Sequence, residues 1–398
     1  MTAGVTTGAT LDRWQSAIAD TYGTPALVLV RGSGATVWDA EGRPYLDLLA
    51  GIAVNALGHA HPAVVDAVST QVATLGHTSN LAATLPAIDL AERLLGLAGR
   101  PGRVFFANSG AEANEAAFKL SRLTGRHTIV AAEGSFHGRT AAALALTGQP
   151  AKRAPFEPLV PTVRFVPYGD AAALRAMVDD TVAAVVLEPI QGEGGVIEPP
   201  PGYLAAAQQA CRDAGALFIL DEVQTGIGRT GRWYAHQHDP ALAPDAITLA
   251  KGLGGGLPIG ALVAFDDAGA MWQPGMHGST FGGNPVSCAA ALAVLDVIGQ
   301  EGLVTRAEAV GQRLRDGLSG LAGVDHVRGA GLLLGIVLAP GVSAREVEGM
   351  ARQQGILVNA IGEAVIRLAP PLVLTDDEAD RAIGALDVAL RAAATGAA

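Results

Sequence analysis

The feature that most constrains this chain is a recurring one. Short apolar runs stop abruptly at a polar or charged residue and alternate with longer helix-patterned stretches. Val104–Ala107, Thr128–Ala132, Ala184–Leu187, Leu217–Leu220, Ile247–Ala250 and Ala261–Phe265 are the runs. Ala111–Thr124, Tyr203–Ala214 and Ser287–Ile298 carry the helical pattern. A strand that is apolar on successive residues must be covered on both faces, and strands alternating with helices build a largely parallel sheet. The fold class is therefore α/β, with a mostly parallel central sheet.

The last hundred residues read as a second, smaller α/β unit. Gly331–Leu338, Ile356–Asn359 and Val365–Leu368 are its strands, and Ala344–Gln354 is a helix ended by Gly355. A closing helix follows Thr375, with Glu378 three residues on as the partner of a capping box. The expected division is 1–60 as an N-terminal segment packing with the small domain, 61–300 as the large domain and 301–398 as the small one. Residues 1–10, rich in Thr, Gly and Ala, read as a loose tail.

A chain that is 49% hydrophobic and 16% charged is globular rather than disordered. Its net charge of −11 argues against nucleic acid or an anionic membrane as the main partner. The two cysteines, Cys211 and Cys288, form no motif, which fits a reducing compartment. No signal-peptide pattern opens the chain and no apolar run is long enough for a membrane span, so the expected localisation is cytoplasmic.

Several polar residues follow apolar runs directly: Glu188 after Leu187, Asp221 after Leu220, Lys251 after Ala250. Open parallel sheets bind ligands at the carboxyl ends of their strands, so this chemistry converges on one sheet edge. Lys251 is one of three lysines, with Lys119 and Lys152, and is followed by Gly252 and by Gly254 to Gly256. Such a lysine is either a surface residue of a flexible loop or, when desolvated, an amine that forms imines with carbonyls. Asp221 suits the protonated nitrogen of a pyridine ring; the competing reading is a carboxylate capping the next turn. Glu222 points the other way by strand alternation and reads as structural. Ser109, Gly110 and Ala111 sit between a strand and a helix start, which is either a phosphate cradle or an ordinary cap. Phe136 could stack on an aromatic ring and Arg139 could clamp a carboxylate, though each type is more often core or surface.

Together these segments resemble the class III aminotransferases, enzymes dependent on pyridoxal 5'-phosphate (PLP). The resemblance rests on Asn108-Ser109-Gly110-Ala111-Glu112-Ala113-Asn114, Phe136-His137-Gly138-Arg139-Thr140, Glu188-Pro189-Ile190-Gln191-Gly192-Glu193, the stretch from Asp221 to Lys251-Gly252, and His277-Gly278-Ser279-Thr280-Phe281-Gly282-Gly283-Asn284-Pro285. It runs from about Tyr22 to Pro371. Within the class, Gly51 to His59, Gly76 to Asn80 and Val365 to Pro371 resemble the acetylornithine aminotransferases of arginine biosynthesis.

The resemblance implies a type I PLP-transferase fold. It implies a Schiff base at Lys251, the catalytic residue. Asp221 would pair with the pyridine nitrogen, with Val223 and Phe136 on the two ring faces and Gln224 near the phenolic oxygen. Ser109, Gly110 and Ala111 would hold the phosphate, with Thr280 reaching the neighbouring subunit's cofactor in a homodimer with shared sites. Arg139 and Ser279 would contact substrate, and Glu193 and Arg367 would form a pair that lets one site serve two substrates. Expected substrates are N-acetylornithine and 2-oxoglutarate. Gly51, where related ornithine enzymes carry an aromatic residue, would leave room for an acyl group. Pocket shape discriminates by only about 1–3 kcal/mol per methylene-sized difference. Succinyl-diaminopimelate, ornithine, acetyl-lysine-like substrates and 4-aminobutyrate therefore stay open as alternatives.

Other classes fit less well. No Gly-Lys dipeptide is present, as a phosphate-binding ATPase loop requires. A metal-dependent deacylase would need ligand spacing that the histidines do not offer, so no metal is expected. A PLP-binding DNA regulator would carry a basic module that the sequence lacks.

Overall fold

A computed structural model of the chain describes residues 6–160 and 162–396. Three sheets organise it. Strands β1 (Leu29–Ser33), β2 (Thr36–Asp39) and β3 (Pro44–Asp47) form an antiparallel meander. The central sheet contains β4 (Gly102–Ala107), β5 (Thr128–Ala132), β6 (Val163–Val166), β7 (Val182–Leu187), β8 (Leu217–Asp221), β9 (Ala246–Leu249) and β10 (Gly260–Phe265). The C-terminal part adds β11 (Val324–Ala330), β12 (Leu333–Leu338), β13 (Ile356–Leu357), β14 (Asn359–Ile361) and β15 (Val365–Leu368).

The central sheet runs β4-β10-β9-β8-β7-β5-β6. All its pairings are parallel except those of β10, which lies antiparallel between β4 and β9. The carboxyl ends of the other six strands therefore share one edge. Strands β7, β9 and β10 are buried at every residue, as strands covered on both faces must be. Cys211 and Cys288 are free thiols in this interior, where burial pushes both upward.

The six apolar runs all became strands, but other expectations fail. Thr7–Ala17 is a helix rather than a loose tail, while residues 1–5 lie outside the described residues. Ile356–Asn359 is not one strand. It divides into β13, which pairs with β3 of the N-terminal sheet, and β14, which pairs with β15. A second smaller sheet runs β11-β12-β15-β14. Gly331 stays outside β12 because its φ is +53° and the chain must turn there, against Arg229 and Thr230. Among the described residues no single helix is long and apolar enough to cross a membrane.

Candidate active site

The carboxyl edge of the central sheet opens into a cavity of about 410 Å³. Its lining draws on five strand ends: Ser109, Gly110 and Ala111 after β4, Phe136 to Arg139 after β5, Glu188 and Glu193 after β7, Asp221, Val223 and Gln224 at β8, and Ala250 with Lys251 after β9. This is where an open parallel sheet places a ligand.

Asp221 is 4% exposed and accepts hydrogen bonds on both carboxylate oxygens, with capacity left on Oδ1. Oδ2 takes 2.7 Å and 2.8 Å contacts from His137 Nδ1 and Asn114 Nδ2, and Oδ1 accepts from Val223 N at 3.0 Å. Thr248, paired with Asp221 across the ladder, donates to Asn114 Oδ1 at 2.9 Å and fixes the amide's orientation. Burial lowers the His137 pKa, but the hydrogen bond and charge of Asp221, with Glu188 behind it, leave it raised overall. His137 Nε2 is buried without a partner. Glu188 is held by the amides of Phe136 (3.0 Å) and Gly192 (3.3 Å), and burial pushes its pKa up to about 7.

Lys251 opens a 3₁₀ turn with φ +41°, a left-handed conformation that costs a lysine energy. Burial brings its amine down to about 8, against the pull of Glu193 in the opposite direction. Across the cavity begins the helix Gly110–Arg122. A helix gives its first amides no internal partner, so those of Gly110 and Ala111 are donors at the cavity wall. Ser109 caps this helix by accepting from Glu112 N at 3.1 Å, and its hydroxyl proton remains to be donated. A Cβ at Gly110 would lie 2.8 Å from Val223, and one at Gly138 (φ +135°) would lie 2.7 Å from Ala111. Both glycines keep the slot open.

Arg367 is 1% exposed and anchored by Glu193 Oε1 (2.5 Å), Gln224 Oε1 (3.3 Å) and Asn359 Oδ1 (2.7 Å). Its Nε has no partner. Burial raises the Glu193 pKa, but the charge and hydrogen bond of Arg367 outweigh it and lower it overall. Arg139 is exposed, its guanidinium 5.7 Å from the centre of the Phe136 ring. Ser279 and Thr280 do not line this cavity. Ser279 Oγ accepts from Gly282 N at 2.9 Å, and Thr280 is exposed on the same loop. Glu222 faces away and accepts from the amides of Ala235 and His236.

The profile of the family described as "Aminotransferase class-III" matches residues 17–390. The chain belongs to the class-III aminotransferases. The acetylornithine aminotransferase of Mycolicibacterium smegmatis is 60% identical, covering 96% of this chain and 98% of the relative. That of Mycobacterium tuberculosis H37Rv is 59% identical over 98% of both chains. Among solved structures, the ornithine aminotransferase of Toxoplasma gondii ME49 superposes with a TM-score of 0.94 at 34% identity, covering 98% of this chain and 96% of that one. The N-acetylornithine aminotransferase of Stenotrophomonas maltophilia K279a gives 0.82 at 37%, covering 95% and 99%.

The class-III cofactor is pyridoxal phosphate, and the donor set fits it. A desolvated lysine amine, a carboxylate for a ring nitrogen, free helix-start amides for a phosphate and a glycine-flanked slot between Phe136 and Val223 face one cavity. Reading the sequence residue by residue gave no role to Asn114, His137, Glu188 or Thr248. Asn114 and His137 stand inside the quoted motifs and Glu188 ends an apolar run. Thr248 was the available signal, a lone polar residue in a strand otherwise apolar.

Proposed function

We propose that the enzyme moves the side-chain amino group of N2-acetyl-L-ornithine to 2-oxoglutarate, giving N-acetylglutamate 5-semialdehyde and L-glutamate. The observation that carries the reading is the Glu193–Arg367 pair at 2.5 Å, whose Glu193 lines the same cavity as Lys251 and Asp221, in a chain whose near relatives carry that activity in their names.

Bound PLP supplies an aldehyde with which amines condense and a ring that takes up the electron pair released when the substrate carbon loses its proton. The chain's residues do the rest. Lys251 would hold the cofactor through its aldehyde. Its amine, when not bound to the cofactor, would serve as the base and acid that moves a proton at the substrate carbon. Asp221 would keep the ring nitrogen protonated, and His137 beside it keeps Asp221 oriented. Ser109, Gly110 and Ala111 would hold the phosphate. Phe136, Val223 and Gln224 would hold its ring.

Two substrates share the site through Arg367. With the donor bound, Glu193 retains Arg367 and Arg139 takes the donor's α-carboxylate, with Ser279 as a further contact. With 2-oxoglutarate bound, Arg367 leaves Glu193 for the α-carboxylate. Glu193→Gln is expected to change the balance between the half-reactions, read by single-turnover absorbance with each substrate alone. Equal effects on both would count against the switch.

The enzyme works as a cytoplasmic homodimer in arginine biosynthesis, with Thr280 serving the neighbouring cofactor. Support for the dimer comes from the surface around that loop, where Leu81, Leu85, Met276 and Phe281 are exposed apolar residues. Asn80 ties the two segments by donating to the carbonyls of Ser279 and Gly282. Gly51 has a backbone reason to be glycine as well as a pocket reason. It lies in a turn where Ala50, Gly51, Ile52 and Ala53 all have φ between +51° and +67°.

A further inference from the structure

The phosphate cradle of this chain and the loop that carries Thr280 are joined by one side chain. Asn108 follows β4 directly and precedes Ser109, and Ser279 precedes Thr280. A carboxamide nitrogen carries two hydrogens, and on Asn108 both are placed. Nδ2 donates to Glu112 Oε2 at 2.9 Å and to Ser279 Oγ at 3.3 Å. Asn108 has no task in the mechanism above.

Each end of this bridge is itself fixed. On the cradle side, Glu112 Oε2 also accepts from Asn108 N at 2.6 Å, and Glu112 N donates to the Ser109 hydroxyl at 3.1 Å. The two bonds close a reciprocal cap over the start of the helix Gly110–Arg122, where the phosphate donors lie. On the loop side, Ser279 Oγ accepts from Gly282 N at 2.9 Å, so the turn that holds Thr280 is tied back on the same oxygen. The turn also presses on the strand that leads to the cradle: a Cβ at Gly282 would lie 2.2 Å from Phe106 O. Thr280 is exposed on a segment with neither helix nor strand, so its placement depends on these anchors. A hydroxyl that meets a phosphate must be placed to within about 0.5 Å.

We propose that Asn108 is a positioning residue for two cofactor sites at once: through Glu112 it steadies the phosphate cradle of its own subunit, and through Ser279 it sets the Thr280 hydroxyl that its subunit presents to the neighbouring cofactor. The proposal rests on the shared site described under the proposed function. Ordering the cradle in one subunit then steadies the phosphate contact in the other.

The test uses hybrid dimers of two differently tagged subunits, one wild type and one Lys251→Ala. Borohydride can fix PLP to Lys251 of the wild-type subunit only, and the mass of that subunit counts the occupancy of its site. That site has its own Asn108 and takes Thr280 from the Lys251→Ala subunit. Asn108→Ala is then added to the Lys251→Ala subunit alone. The PLP concentration for half occupancy is expected to rise about fivefold, the size of one lost uncharged hydrogen bond. Ser279→Ala in the same subunit should give a rise at least as large, and adding Asn108→Ala to it should change nothing further. An unchanged occupancy curve with Asn108→Ala would confine Asn108 to its own cradle and overturn the proposal, as would losses that add. Thr280→Ala in the Lys251→Ala subunit tests the underlying reading separately. If that substitution leaves the curve unchanged, or if the tagged subunits form no hybrid, the shared site itself is overturned.

Discussion

Asp221 and Glu222 are neighbours that face opposite sides of the sheet's end. Asp221 turns into the cavity, where His137, Asn114 and the Val223 amide hold it aimed. Glu222 turns back and ties down the chain at Ala235 and His236. Strand alternation in the sequence was enough to separate the two. The supports of Asp221 were not legible as supports, because Asn114 lies 107 residues away and only the β8–β9 ladder places Thr248 beside it. Asp221→Asn keeps the shape and removes the charge. It should cut kcat on the order of 10²-fold or more while cofactor is retained, judged by absorbance and steady-state rate together. Lys251 gives a pH signature. Only the neutral amine attacks an aldehyde, and burial brings its pKa to about 8. Covalent uptake of PLP by cofactor-free enzyme should rise about tenfold per pH unit below 8 and level off above it. A rise continuing to the ordinary lysine range would show that the amine is not desolvated.

At the scale of elements, the apolar runs announced the central strands because burial on both faces leaves no room for polar residues. β11 was missed for the converse reason. Val324–Ala330 holds Asp325, His326 and Arg328, and its exposed and half-buried positions outnumber its buried ones. The break between β13 and β14 escaped because a continuous apolar stretch does not reveal which of two sheets takes each half. The capping box did form: Thr375 N donates to Glu378 at 2.9 Å, and Glu378 N donates to the Thr375 hydroxyl at 3.2 Å. Thr375→Ala should therefore cost about 1 kcal/mol in urea denaturation, with activity unaltered. Gly110→Ala should weaken PLP binding with little loss of fold, since the added methyl would press on Val223 at the slot's edge; equilibrium dialysis of the cofactor would measure it.

At the scale of the whole molecule, distant parts of the chain are joined by specific contacts. β3 near the N-terminus pairs with β13, more than 300 residues later. Arg229, buried without a carboxylate, donates to the carbonyls of Leu332 and Pro370, and burial lowers its pKa to about 9. Arg229→Met would leave both carbonyls unpaired and should lower stability by about 1–3 kcal/mol for each. Thermal unfolding would show this as a reduced Tm. None of this was readable from the sequence, where Arg229 resembles any loop arginine. Sedimentation should return twice the 40.3 kDa chain mass. A monomer that binds PLP as tightly as the assembled protein would contradict the shared site.

The most direct test of the central claim is the absorption spectrum of the purified enzyme. N-acetylornithine is added first and 2-oxoglutarate second. The account predicts that the cofactor's long-wavelength band disappears with the amine and returns with the 2-oxo acid. A band that ignores N-acetylornithine but responds to ornithine, 4-aminobutyrate or succinyl-diaminopimelate would contradict the substrate assignment. No band at all with added PLP, in dimeric protein, would contradict the role of Lys251.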